Sequence, residues 1–243
     1  MNEPKALLNS YSTVVLQVFH TRLNSYKKTR MKTAARRAVI LFTRFPVPGN
    51  VKTRLIGNLG AQGASDVHKK MTEIILLKIQ PAVQQLSAQM YIFFFGGSKE
   101  QMSQWLGSNM SFFPQKGDDL GQRMLHAFKQ TSKRGAEQIL LIGSDCPSID
   151  EAIIEAGFAA LQNHDLVLGP AVDGGYYLIG LQTLEITAAH QHLFSDISWG
   201  ESTVLQQTVQ RLEAGGLSCQ FLPQLHDIDR PEDLVYLNHH TCS

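Results

Sequence analysis

No apolar run in the chain approaches the length of about 20 residues that a membrane-spanning helix needs. The longest near the start, Val14-Val15-Leu16-Gln17-Val18-Phe19, is too short, and no small-residue cleavage site follows it, which argues against a secretory signal. Cysteine is scarce. Cys146, Cys219 and Cys242 lie far apart, and an odd count without a CxxC or Cys/His spacing excludes both a disulfide scaffold and a zinc ribbon. A reduced, cytoplasmic setting is the expectation. Charge of one sign is missing too: the net charge is +1, so nothing global points to nucleic acid. Internal repeats and low-complexity tracts are absent. What remains is ordinary globular material, 243 residues with 43% hydrophobic and 18% charged, enough for one large core or two small ones.

The basic residues are unevenly placed. Residues 1–30 hold Lys5, Arg22, Lys27, Lys28 and Arg30 against the single acid Glu3, with no sustained helical or strand period. Residues 1–35 therefore read as a basic N-terminal extension and 36–243 as the compact domain, with Met31 a candidate alternative start. A tail without function is the plainest account of the extension; a leader-like or partner-binding arm is the rival.

From Arg36 onward, short apolar runs alternate with segments of helical spacing. Strands are predicted at 38–43, 90–95, 112–113, 138–143, 166–168, 176–179 and 219–222. Helices are predicted at 64–86 with Pro81 kinking or ending it, at 100–106, 120–132, 150–162 and 203–214, and from Pro231. Asp150 is a candidate N-cap, and Gly215-Gly216 a helix stop. Continuous apolar strands between helices predict a single-domain α/β fold, a mostly parallel, Rossmann-like sheet flanked by helices on both faces. The close strands on either side of Asp173 predict an antiparallel strand late in the sheet.

Ligands of such sheets bind beyond the carboxyl ends of the strands, and five segments are candidates. After the first strand, Arg44, Lys52 and Arg54 surround a loop containing Gly49. Cations with exposed backbone N–H groups make a phosphate site; a solvated basic loop is the alternative. The loop is neither a Walker A motif nor GxGxxG. After the strand at 138–143, Gly143-Ser144-Asp145-Cys146-Pro147 places a carboxylate where Mg²⁺ could be held with phosphate and water, or where Asp145 merely caps a turn. Asp173 precedes two glycines, as a ligand contact or a tight turn. Near the end, Asp227-Ile228-Asp229-Arg230-Pro231-Glu232-Asp233 sets two acids in an extended Asp-x-Asp. Glu232 and Asp233 are explained by a helix start; Asp227 and Asp229 are not. In Gly117-Asp118-Asp119-Leu120-Gly121-Gln122-Arg123, either acid can cap the next helix, Gly121 admits a ligand at its first turn, and Arg123 can reach an anion. Cys146 lacks an activating histidine and reads as a buried thiol. His68, His126, His164, His190 and His192 read as ordinary surface or partly buried residues, and His239-His240 as a solvated terminus.

In combination these segments, with Phe42-Thr43-Arg44-Phe45-Pro46-Val47-Pro48-Gly49, Gly169-Pro170-Ala171-Val172-Asp173-Gly174-Gly175-Tyr176-Tyr177 and Phe194-Ser195-Asp196-Ile197-Ser198-Trp199-Gly200, resemble a family of glycosyltransferase-A-like proteins. That family is described as transferases associated with radical-SAM or selenium-related proteins and sits in the nucleotide-diphospho-sugar transferase superfamily. The resemblance spans residues 36–240. Lys52-Thr53-Arg54-Leu55 is similar, in addition, to the guanylyltransferases that activate phospholactate.

The resemblance implies a glycosyltransferase-A type fold and Mg²⁺ or Mn²⁺ on Asp145 and Asp229. Electrostatic logic adds phosphate contacts from Lys52 and Arg54, and Asp173 as acceptor-orienting group or base. Arg44, Gly49, Gly121 and Arg123 complete the expected nucleotide site. The implied activity is a metal-dependent transferase with a nucleotide-sugar or nucleotide donor and a small-molecule acceptor, without nucleic-acid or membrane partner. Sugar transferases carry Asp-x-Asp at the first metal site, whereas this chain has Ser144-Asp145 preceded by Gly143. That departure suits the alternative, a nucleotidyltransferase joining a nucleoside triphosphate to a phosphorylated small molecule. A non-catalytic nucleotide-binding module is the third reading. A monomer and an oligomer are both compatible with this reading.

Overall fold

The structure is a computed structural model, described here for residues 37–183 and 186–238. The N-terminal extension, His239-His240 and Cys242 lie outside the described residues. Seven strands form one sheet: β1 (Arg37–Arg44), β2 (Gln89–Phe95), β3 (Ser111–Pro114), β4 (Gln138–Ile142), β5 (Leu166–Pro170), β6 (Tyr176–Gln182) and β7 (Cys219–Phe221). Their order is β3-β2-β1-β4-β6-β5-β7. Neighbours run parallel except at β6, which is antiparallel to both β4 and β5. This is the expected mostly parallel α/β sheet with its late antiparallel strand.

The apolar strand runs arise because both faces are covered. In β1, Val39 and Leu41 point into a core shared with α1 (Ile56–Gln85), α2 (Lys99–Leu106) and α4 (Glu151–Ala160). Ala38, Ile40 and Phe42 point into the other core, with α3 (Leu120–Ser132) and α6 (Val204–Gly215). Successive side chains thus face opposite layers, and the central positions 38–42 are all apolar. A short helix, α5 (Ala188–His192), and a C-terminal turn, α7 (Leu234–Asn238), complete the elements.

Helix starts follow local capping. Ser98 and Gln101 close a capping box on α2, Asp119 accepts from Gln122 N at α3, and Asp150 accepts from Ile153 N at α4, so Asp119 rather than Asp118 is the α3 cap. Two expectations need correction. A helical turn from Ile56 precedes the expected helix and is kinked off at Gly60 (φ 72°, ψ 169°), after which the regular helix runs on from residue 61. Pro81 neither ends it nor takes non-helical dihedrals; the helix continues to Gln85. Packing of Ile79, Ala82 and Val83 into the core offsets the hydrogen bond that a proline forfeits.

A third apolar cluster sets the geometry of the site. Leu55, Ala64, Val67, Met71 and Ile74 enclose Ile228 and Leu237. The C-terminal segment is thereby clamped against α1, and Ile228 N donates to Asp145 O at 2.9 Å. No helix among the described residues is long and apolar enough to cross a membrane.

Candidate functional site

The carboxyl ends of β1, β2, β4 and β5 open on one edge of the sheet, and the residues singled out above gather there. Lys52 lies in the turn after β1, in a left-handed conformation (φ 47°). Its Nζ sits 2.6 Å from Asp145 Oδ1 and 3.7 Å from Asp229 Oδ1, and it donates to Ile228 O at 2.5 Å. Arg54 Nη1 meets Asp229 Oδ2 at 2.5 Å. Three segments remote in sequence therefore converge on one ammonium group. The Lys52 side chain is 4% exposed while that of Asp145 is 56% exposed. The lysine supports the acids from beneath, and Asp145 keeps an open face to the cleft.

The electrostatics follow. Partial burial acts to raise the Asp145 carboxyl, but Lys52 beside it, with His68 and Arg44 further off, outweighs that effect and holds it below the ordinary carboxylate value. Asp227 goes the other way, raised by burial and then by Asp173. Asp173 is exposed in the β5–β6 turn, with Oδ1 accepting from Gly175 N at 2.8 Å. Cys146 is buried, and desolvation together with the surrounding acids pushes its thiol well up. It is a packing residue, as expected.

A second group lies beside the first. Phe95 ends β2 with 44% of its surface exposed. The Arg123 guanidinium lies 4.5 Å from its ring centroid and that of Arg44 6.0 Å, within cation–π range. Arg123 Nε is fixed by Gly117 O at 2.9 Å. Neither arginine forms an ion pair among the described residues. Phe95 went unnoticed in the sequence because it closes an apolar run that otherwise reads as core. Its only signal is position, the last residue before Gly96-Gly97. His68 is a second residue whose surroundings went unread. It is buried on α1, with Nε2 3.0 Å from Arg44 O and 3.3 Å from Thr43 Oγ1, and it braces the end of β1 under the cation loop.

The two glycines of the expected nucleotide site differ. Gly49 stands at the exposed loop tip with φ 87° and open space where a Cβ would project. Gly121 is buried, and a Cβ there would lie 2.2 Å from Phe194 O and 2.7 Å from the Trp199 ring. The close approach at Gly121 is made by the chain's own segment 194–199. A cavity of about 110 Å³ lined by Leu76, Met90, Asn109 and Ser111 among others lies at the opposite edge of the sheet, has no charged lining residue, and takes no part in the cleft.

Residues 78–201 match the profile of a family described as "Uncharacterized protein conserved in bacteria (DUF2064)". The chain belongs to that family. A protein of Desulfovibrio desulfuricans G20, provisionally named a nucleotide-diphospho-sugar transferase, is 32% identical with a TM-score of 0.78, over 86% of this chain and 90% of its own. The 4-diphosphocytidyl-2C-methyl-D-erythritol synthase of Anaerococcus prevotii DSM 20548 is 11% identical with a TM-score of 0.55, over 84% of this chain and 98% of its own. A cytidylyltransferase of Leptospira borgpetersenii serovar Hardjo-bovis is 15% identical with a TM-score of 0.52, over 83% and 84%. The likeness to these two is one of fold. No curated protein matches the chain. The family member described here thus has the nucleotidyltransferase-like, glycosyltransferase-A type fold.

Proposed function

We propose that the protein is a nucleotidyltransferase: it joins the nucleotide part of a nucleoside triphosphate to a phosphorylated small molecule and releases pyrophosphate. The observation that carries this reading is the convergence of Lys52, Arg54, Asp145 and Asp229 in one charged cluster at the sheet edge. The glycine at 143, where sugar transferases have a further acid, favours nucleotidyl over sugar transfer. So do the names of the cytidylyltransferase and of the 4-diphosphocytidyl-2C-methyl-D-erythritol synthase that share the fold.

The donor set suits a hard divalent cation. Asp145 and Asp229 direct carboxylate oxygens at a single positive group. Among the described residues there is no cluster of three or more metal-binding side chains, and Mg²⁺ commonly takes one or two carboxylates and completes its shell with phosphate oxygens and water. When bound, Mg²⁺ or Mn²⁺ would offset charge on the phosphate oxygens. Everything else is assigned to the chain itself. Arg54 neutralises and orients the triphosphate. Lys52 holds Asp145 and Asp229 at a fixed separation. Arg44, Phe95 and Arg123 seat the base. β2 and β4 flank β1, so Phe95 and Asp145 stand on the order of 10 Å apart, a span suited to a nucleotide. Asp173, on the far side of Asp145, orients the acceptor. An acceptor phosphate oxygen then attacks the α-phosphorus, and the bond from that phosphorus to the bridging oxygen of the pyrophosphate breaks. An anionic phosphate needs no base, so positioning and charge stabilisation suffice.

The test is incubation with each nucleoside triphosphate, Mg²⁺ and a panel of sugar phosphates that also includes phospholactate. Pyrophosphate release that depends on one acceptor is expected. Turnover of a nucleotide sugar without pyrophosphate release would replace this reading with glycosyl transfer. Metal-dependent nucleotide binding without any turnover would leave a binding module. A cytoplasmic location suits a nucleoside triphosphate substrate.

A further inference from the structure

Two cations already occupy the acids to which the proposed ion would bind. Lys52 Nζ has Asp145 Oδ1 at 2.6 Å, Ile228 O at 2.5 Å and Asp229 Oδ1 at 3.7 Å around it. Arg54 Nη1 takes the other oxygen of Asp229 at 2.5 Å. Two carboxylates thus face two cations, and this set of four is neutral, with Asp227 and Asp173 outside it. A divalent ion arriving alone finds both carboxylates of the set already paired and is repelled by the ammonium group at its centre. A free triphosphate arriving alone finds Lys52 and Arg54 engaged with carboxylates.

We propose that this site takes the divalent ion and the nucleotide only as one complex, through an exchange of partners at Arg54. The inference rests on the nucleotide reading given above. The two cations have different parts in it. Lys52 is buried, and its turn is fixed between the core residues Val51 and Leu55. It stays at Ile228 O as a permanent positive charge that disfavours the ion by itself. The Arg54 side chain is 59% exposed and is hydrogen-bonded to Asp229. It is free to leave Asp229 to the ion and turn to the phosphates that accompany the ion. Each incoming charge then finds a partner: carboxylate with ion, guanidinium with phosphate. Neither substitution is favourable without the other. By linkage, nucleotide and ion must tighten one another by the same factor. Arg54 is in this sense a specificity-determining residue, which selects the metal–nucleotide complex over either part.

Calorimetry with Mn²⁺ and non-hydrolysable nucleoside triphosphate analogues tests this, with the spin resonance of free Mn²⁺ as a second readout of occupancy. On the wild-type protein, Mn²⁺ alone is expected to bind weakly, and the analogue to tighten it by at least about fivefold, a usual size for coupling between ligands. Arg54→Met releases Asp229 and is expected to tighten Mn²⁺ alone by a similar factor while weakening the analogue. Arg134→Met removes the same charge at an exposed position outside the site, and is expected to change Mn²⁺ affinity by less than about twofold, as suits a screened charge. Arg54 is the chosen position because it is exposed, whereas Lys52→Met removes a buried support and risks the fold. Mn²⁺ binding as tight without analogue as with it, or unchanged by Arg54→Met, overturns the exchange and leaves the nucleotide reading standing. If no analogue binds with or without Mn²⁺, the nucleotide reading fails first and the exchange with it.

Discussion

At the scale of single residues, Phe95 and Gly121 are opposites: an exposed ring open to a ligand, and a glycine closed off by the chain itself. Beside the Phe95 ring lie two guanidinium groups that form no ion pair among the described residues. Replacing it by alanine removes a stacking surface and leaves the acids and Arg54 untouched. Phe95→Ala is expected to weaken nucleoside triphosphate binding by about 1–3 kcal/mol, the usual worth of one base on an aromatic ring. Inorganic tripolyphosphate should bind as before. Equal losses for both ligands would show that the ring supports the phosphate end instead. Gly121 is the opposite case. A Cβ placed there collides with the Phe194 carbonyl and the Trp199 ring, and overpacking of this kind costs about 1–3 kcal/mol. Gly121→Ala is expected to lower the unfolding midpoint and to leave nucleotide affinity in the folded fraction little changed. A variant of full stability with lost affinity would return Gly121 to the ligand.

At the scale of elements, the C-terminal segment is what assembles the site. Ile228 has no exposed surface and packs with Leu55, Val67 and Met71. Its N–H bonds to Asp145 O and its carbonyl accepts from Lys52. An apolar anchor therefore carries Asp227 and Asp229 to the edge of the sheet. Ile228→Ala should cost about 2–5 kcal/mol in denaturant unfolding, and should also weaken Mn²⁺ binding in the presence of nucleotide. An unfolding loss without a binding loss would mean that Asp229 does not depend on this anchor.

The same element shows where sequence reading reached its limit. The seven strands were legible because a sheet covered on both faces demands uninterrupted apolar runs, as in 38–43 and 138–143. The start of α1 was not legible. Residues 56–63 include three glycines, and the helix there gains its support from Ile56 and Leu59 packing on the third cluster, a tertiary contact that no local pattern announces. Lys52, Asp145 and Asp229 were each picked out by their place after a strand or before a helix. That Lys52 would meet the two acids rather than await phosphate was hidden, because the Lys52–Ile228 bond spans 176 residues.

At the scale of the whole molecule, the topology separates stability from function in a way that pH can probe. β6, by reversing direction, places the β5–β6 turn at the same edge as the ends of β1 and β4, so the site is assembled at one edge and the helical layers elsewhere carry the fold. Three histidines, on α1, α3 and α5, have their proton affinity lowered chiefly by burial. His68 is partly compensated by Asp145, His126 is lowered further by Lys116, and His190 is partly compensated by Asp165. In each case the folded value lies below the ordinary 6.5. As pH falls through 6.5, the unfolded chain takes up protons before the folded one does, so stability declines with falling pH. Above that value all three are neutral in both states and contribute no slope. Asp145, whose folded value is depressed, adds its own loss only further down, as pH falls below the ordinary carboxylate value of 3.8. The unfolding midpoint is therefore expected to be level between about pH 8 and 7 and to drop between about pH 6.5 and 5. His68→Gln, which keeps a polar group beside Thr43 and the Arg44 carbonyl, should flatten part of that drop, because the glutamine takes up no proton in the unfolded chain. A midpoint that stays level through pH 5 in the wild type would mean that the three imidazoles protonate as readily in the fold as outside it, and that burial on these helices leaves them in contact with water.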